Sequence, residues 1–260
     1  MNISDNLSIL LGKYSIEKNE VGMSPTEVYK LIGKNENKYL KYSQKIFQST
    51  TYCVCREAEI IKWLYGKINV PIIEYNENYQ GNSSVIMTEL KGIMLEECNL
   101  SSDLYVKYLA KALLEIQSIN IKDCPFISNV EYRLNELKYL MENDLIDNDC
   151  NNWEEATKLK FKSSEEIYKW LYENKPDKEE LVFSHGDLCG SNILLNNNIL
   201  EYIDFGRAGI ADKWYDIAFC VNGIRDLPNE EIYINMFFDL LNIEPNWEKI
   251  NYYILLDELF

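Results

Sequence analysis

FSHGDLCGSNILLNNNILEYIDFGRAG, residues 183–209, is the stretch whose reading decides the fold. It contains His185, the one histidine of the chain, and sets Asp187, Asn192 and Asp204 among apolar runs. Burying a carboxylate or amide is costly unless it is paired, and isoleucine, leucine or valine would fill these places more safely. NILLN and LEYIDF read as two short strands around the turn NNN. A hairpin there folds Asp204 back beside Asn192.

Spacing narrows the chemistry. Asn192 follows Asp187 by 192 − 187 = 5 residues, and Asp204 follows Asn192 by 204 − 192 = 12. Asp-x-x-x-x-Asn and then Asp-Phe-Gly is the catalytic arrangement of kinases. Phosphoryl transfer needs little covalent help, so catalysis is mostly positioning and charge neutralisation. Magnesium is a hard octahedral cation that takes an amide carbonyl, a carboxylate and phosphate oxygens. Asn192 and Asp204 supply those protein ligands, which leaves Asp187 to accept the proton of an attacking hydroxyl. Any one of the three is ordinary turn material; all three in order, with His-Gly before and Phe-Gly after, are not. His185 could itself be the base, but beside Asp187 it reads as a packed support of the loop.

A nucleotide site also needs a cation for the phosphates. Lys41 in NKYLKYS follows two apolar residues on an expected strand, where kinases carry the lysine that meets phosphates and a helix glutamate. Glu57, near the start of the next helix, is the matching glutamate. No G-x-G-x-x-G or Walker loop occurs; VGMSPTEVYKLIG offers Gly22, whose backbone could approach a phosphate, and Ser24 as a further donor.

The formal net charge is −16, which argues against nucleic acid, whose phosphates attract basic surfaces. An acidic cleft would instead concentrate a cationic small substrate. The seven cysteines are scattered with no Cys-x-x-Cys pair. With one histidine they build no usual zinc site, so free thiols in a reducing compartment are expected. Cys53 and Cys55 are a near pair, but alternate residues point apart. No apolar run approaches the ~18 residues that span a bilayer, and MNISDNLSILLGKYSIEKNE lacks signal-peptide features; a cytoplasmic protein is expected.

EVYKLIG and NKYLKYS alternate apolar and polar residues around KNEN and predict a β-hairpin. REAEIIKWLYGK has helical spacing and stops at a glycine before NVP. PIIEYNENYQGNSSVIMTEL predicts two more strands, so the order strand, strand, helix, strand, strand is expected. From Lys91 onward helix patterns dominate: SDLYVKYLAKALLEIQSI behind a Ser/Asp cap, VEYRLNELKYLMEND and SSEEIYKWLYENK. After the opening segment, WYDIAFCVNGI, NEEIYINMFFDLL and NWEKINYYILLDELF close the chain as helices. The expected fold is α+β with two lobes, residues 1–90 forming a small antiparallel-sheet lobe and residues 91–260 a larger, mostly helical one.

VFSHGDLCGSNILL, YIDFGRAGIADKWYDIAFC and the ending YYILLDELF resemble the aminoglycoside 3′-phosphotransferases, protein-kinase-like enzymes that inactivate kanamycin- and neomycin-type antibiotics. GMSPTEVYKLIG, NKYLK, NVP and DCP fit as well, so the resemblance covers nearly the whole chain. It implies ATP- and Mg2+-dependent phosphorylation of a sugar 3′-hydroxyl, with Asp187 as base, Asn192 and Asp204 as metal ligands, Lys41 on the phosphates and Glu57 orienting it. Tyr39 and the strand around Met87 to Leu90 flank the adenine. Glu154, Asp226, Asp257, Glu258 and the Phe260 carboxylate face the cationic aminoglycoside, and Arg207 contacts the sugar. Asn151, Gly190 and Leu227 depart from the family by standing where relatives carry acids, which bears on substrate breadth.

Three other readings stay open at this level. A protein kinase needs an activation loop, and RAGIADKWYD leaves no room for one; no protein substrate is expected. A kinase of choline or a sugar differs only in the substrate-side acids. A regulatory pseudokinase would normally lack one of Lys41, Asp187, Asn192 or Asp204, and all are present.

Overall fold

The computed structural model describes residues 1–19, 24–146 and 153–260; Gly22, Cys150 and Asn151 lie outside them. In chain order the elements are α1 (Asp5–Leu11), β1 (Ser15–Asn19), β2 (Glu27–Ile32), β3 (Asn37–Ser43), a 3-10 turn at Lys45–Phe47, α2 (Val54–Leu64), β4 (Ile73–Tyr79), β5 (Asn82–Thr88) and β6 (Ile93–Met94). Then follow α3 (Ser102–Gln117), α4 (Val130–Glu142), α5 (Glu155–Lys160), α6 (Ser164–Glu173), β7 (Leu181–Ser184), β8 (Ile193–Asn196), β9 (Ile199–Tyr202), β10 (Gly209–Asp212), α7 (Lys213–Arg225), α8 (Glu230–Leu241) and α9 (Trp247–Asp257). They form two compact units, Met1–Leu95 with Asn192–Arg207, and Glu96–Ser191 with Ala208–Phe260.

The first unit is built on an antiparallel sheet in the order β1-β2-β3-β5-β4. Register explains which residues share a face, because paired residues point the same way and neighbours along a strand point oppositely. Tyr29, Leu40, Ile86 and Tyr75 form one row across four strands, and α1 packs Leu7 and Leu11 onto that face. The next row, Val28, Lys41, Val85 and Asn76, lies on the opposite face. Helix α2 covers that opposite side, with Val54, Ala58, Ile61 and Leu64 buried. The expected four strands and one helix are present, with α1 and β1 added in front. Seven residues of helix carry too few turns for a periodic signal, and the exposed, charged SIEKN lacks the alternation that marks a half-buried strand.

In the second unit, the α3 stripe Val106, Leu109, Ala110, Leu113 and Ile116 is buried, and Ser101 Oγ accepts from Leu104 N at the cap. Helix α7 buries residues all round, including Trp214, Ile217, Ala218, Val221 and Ile224, as a central helix must. Strands β7 and β10 pair antiparallel, Ser184 opposite Gly209; both are four residues long and escape pattern reading. Among the described residues no helix is long and apolar enough to cross a membrane, and the described cysteines form no disulfide.

Candidate functional site

Lys41 stands in the middle of the sheet with its ammonium between two carboxylates. Nζ lies 2.8 and 3.0 Å from the Glu57 oxygens and 3.0 Å from Asp204 Oδ1. The Lys41 and Glu57 side chains are 12% and 4% exposed, that of Asp204 52%. Burial alone would lower the Lys41 pKa; Asp204 and Glu57 outweigh it and raise it, so the ammonium keeps its proton. Burial raises Glu57, and the Asp204 charge adds to this against the pull of Lys41. The cluster sets one ammonium between two carboxyl groups. With only oxygen donors on its open edge, it suits a hard divalent cation.

The turn that carries Asp204 is held from three sides within the first unit. Asp204 adopts φ +65, a left-handed conformation that aspartate tolerates better than most residues. Strand β9 therefore ends at Tyr202, short of the expected LEYIDF. Phe205 is fully buried, and its N–H donates to Glu57. Arg56 donates from Nη1 to the Gly206 carbonyl. A Cβ on Gly206 would lie 2.8 Å from the Thr51 carbonyl oxygen, so only glycine fits. In the β8–β9 hairpin Ile193 pairs with Tyr202, and Ile203 N donates to the Asn192 carbonyl at 3.1 Å. The hairpin thus sets Asn192 opposite the residue before Asp204.

Tyr39 and Met87 are cross-strand partners on the same sheet face as Lys41, with Met87 buried and Leu90 half-buried just past β5. Ser24 is exposed, and its Oγ accepts from Thr26 N at 3.4 Å. Arg207 is half-buried at the end of the first unit.

Asp187 belongs to the second unit, in the loop after β7, and is half-buried. His185 is fully buried, a packed residue of the loop. The loop backbone is tied to a carboxylate that sequence reading missed: Asp216 on α7 accepts from His185 N and Gly186 N, both at 2.8 Å. Asp216 is completely buried. Burial raises its pKa, while His185 and the two N–H groups pull it down. The one available signal was an aspartate inside the apolar helix run WYDIAFC. A second missed residue is Asp212, also fully buried, which accepts from Lys249 Nζ at 2.7 Å and Tyr253 Oη at 3.1 Å.

Of the acidic candidates, Glu154 and Glu258 are brought together. Glu258 Oε1 accepts from Glu154 N at 2.9 Å and Thr157 Oγ1 at 3.0 Å. Glu258 therefore caps α5 in addition to ending α9. The Phe260 ring lies under the buried Arg133 guanidinium at 3.7 Å, and Arg133 pairs with Glu136 at 2.5 Å. Asp257 is half-buried, Leu227 likewise, and Asp226 is exposed at the end of α7.

Residues 28–253 match the phosphotransferase enzyme family, APH. An aminoglycoside 3′-phosphotransferase of Enterococcus faecalis is 48% identical over 264 aligned residues, spanning 100% of this chain and 99% of its own length. The crystal structure of an aminoglycoside-3′-phosphotransferase of type VIII superposes with a TM-score of 0.80 at 23% identity, over 98% of each chain. An aminoglycoside phosphotransferase from Streptomyces rimosus, solved with ADP and streptomycin, superposes with a TM-score of 0.77 at 17% identity, again over 98% of each chain. These two superpositions establish the protein-kinase-like fold.

Proposed function

The chain belongs to the phosphotransferase enzyme family and, within it, to the aminoglycoside 3′-phosphotransferases, and on that premise we propose that it transfers the γ-phosphate of ATP to the 3′-hydroxyl of kanamycin- and neomycin-type aminoglycosides. The observation that carries this proposal is the Lys41 ammonium held between Glu57 and Asp204. A buried lysine that its acidic neighbours keep protonated, beside an open carboxylate, is what a nucleoside triphosphate and its counter-ion need.

In this proposal Asp187 accepts the proton of the 3′-hydroxyl as its oxygen attacks the γ-phosphorus. The bond to the β–γ bridging oxygen breaks, and ADP leaves with that electron pair. Lys41 binds phosphate oxygens and Glu57 sets its direction. The oxygen atoms of Asn192 and Asp204 would hold Mg2+, which would neutralise charge on the phosphates. Tyr39 and the Met87–Leu90 segment flank the adenine, and Ser24 donates to phosphate. Glu154, Asp226, Asp257, Glu258 and the Phe260 carboxylate attract the drug's ammonium groups, consistent with a chain of net charge −16. Arg207 contacts the sugar. A requirement for ATP fits action in the cytoplasm.

Mass spectrometry of kanamycin and neomycin after incubation with enzyme and MgATP tests this. One added phosphate is expected, and none on drugs that lack the 3′-hydroxyl. Phosphorylation of choline or of a protein, with no product from any 3′-hydroxylated aminoglycoside, overturns it.

A further inference from the structure

Tyr105 on α3 reaches the loop that follows Asp187. A Cβ built on Gly190 would lie 2.8 Å from Tyr105 Oη and 3.1 Å from Glu96 Cβ, and one on Gly223 of α7 would lie 3.5 Å from the same Oη. The phenol oxygen therefore sits between two glycines, and at 190 it occupies the room that any side chain would need. Gly190 is anchored there, its carbonyl accepting from Glu96 N at 3.4 Å. The neighbouring Cys189 thiol donates to Asp187 Oδ1 at 3.6 Å. Asp226, expected on the substrate side, lies three residues past Gly223 and acts electrostatically on Tyr105. Tyr105, Gly190, Cys189 and Asp187 thus form one continuous patch of the second unit.

We propose that Tyr105 is a specificity-determining residue whose hydroxyl binds a hydroxyl or ammonium group of the acceptor sugar beside Asp187; this deepens the aminoglycoside reading above and rests on it. The ring is half-buried. Burial raises the phenol's pKa, and its neighbours Cys220, Cys189, Glu96 and Asp226 raise it further, so the hydroxyl keeps its proton. A neutral phenol both donates and accepts. It can hold a sugar hydroxyl as well as an ammonium group, where a carboxylate at 190 would favour the cation. Gly190 and Tyr105 are then one device, since the small residue exists to admit the large one.

The test compares full-length wild type, Tyr105→Phe and Gly190→Ala by steady-state kinetics with kanamycin and ATP, alongside thermal melts. Loss of one neutral hydrogen bond should raise the KM for kanamycin about three- to tenfold in Tyr105→Phe. The KM for ATP should stay unchanged, and the melting temperature should stay within a degree or two. Gly190→Ala should raise the same KM by pushing Oη aside, and should do so less in the Tyr105→Phe background. A merely structural tyrosine would shift both KM values together, and that result overturns the proposal. Unchanged kanamycin KM in folded Tyr105→Phe overturns it while leaving the activity standing; should that variant melt early, unchanged KM in Gly190→Ala does the same. A wild type that transfers no phosphate to kanamycin and binds none by calorimetry overturns both, so the two failures are distinguishable.

Discussion

Lys41 Nζ stands 3.0 Å from Asp204 Oδ1 although 163 residues separate the two in sequence. The strand lysine and the Asp-Phe-Gly aspartate are united inside one compact unit, with Glu57 as their common neighbour through Lys41 and the Phe205 amide. Replacing Lys41 by methionine leaves two carboxylates facing each other without a cation. Turnover should fall at least about a hundredfold, on the scale of losing one preorganised charge contact to the transition state, and the KM for ATP should rise. Kinetics of the variant at saturating ATP check this; a kcat within twofold of wild type would remove Lys41 from the proposed phosphate site.

Asp187 is the proposed base. Asp187→Asn keeps the size of the side chain and removes its proton affinity, so kcat should drop roughly 10²- to 10⁴-fold. Nucleotide affinity, measured by calorimetry with ADP, should hardly change. A variant that retains more than about half of normal turnover would place the base elsewhere.

Asp216 has two oxygens and serves two backbone N–H groups of the loop. Asn at 216 offers one acceptor and presents an NH2 where an acceptor is needed. One buried N–H then loses its Asp216 acceptor and meets an NH2 instead, at a cost of about 1–3 kcal/mol. Asp216→Asn should therefore lower both the melting temperature and kcat. Equal stability by chemical denaturation would mean the loop holds its shape without this carboxylate.

Glu89 pairs with Lys30 at 2.8 Å and Lys91 at 2.7 Å, and accepts from Asn37. Burial opposes its charge, yet the bonds from Lys30 and Lys91 prevail and hold its carboxyl at about 2. An unfolded glutamate titrates near about 4.3. Between those two pH values the unfolded chain binds more protons than the folded one. The stabilisation is therefore complete above the higher value and lost as pH falls toward the lower. Urea melts of wild type and Glu89→Gln should differ most at neutral pH and converge through that window. A gap that stays constant down to pH 2 contradicts the assignment.

The tail acids play different parts. Glu258 caps α5 through Glu154 N and Thr157 Oγ1, so Glu258→Ala should lower stability by about 1 kcal/mol as well as weaken drug binding. Asp257→Asn should raise the aminoglycoside KM. Added salt should weaken drug binding in wild type more than in this variant, because screening acts on the charges that remain. If the two enzymes respond alike to salt, Asp257 is a solvated helix end.

Much of this molecule was legible in its sequence because the decisive signals are local. Asp187, Asn192 and Asp204 sit at fixed spacings in one segment, and turn chemistry around NNN is enough to fold Asp204 back toward Asn192. Alternation in EVYKLIG and NKYLKYS and helical spacing in REAEIIKWLYGK, each a property of neighbouring residues, specified the sheet and helix that carry Lys41 and Glu57. Tertiary structure decided what no local pattern encodes. It joined Asn192–Arg207 to the N-terminal unit, because the hairpin's hydrogen bonds run to residues far away in sequence: β6 pairs with β8, and Tyr202 N donates to the Asn69 carbonyl. It turned the aspartate of WYDIAFC into a buried anchor for the His185–Gly186 backbone, and a tail glutamate into a cap for α5. It also set the Tyr105 hydroxyl against Gly190. In each case a polar or bulky side chain took its place according to what distant backbone left exposed, and only the packed chain brings those partners within hydrogen-bonding distance.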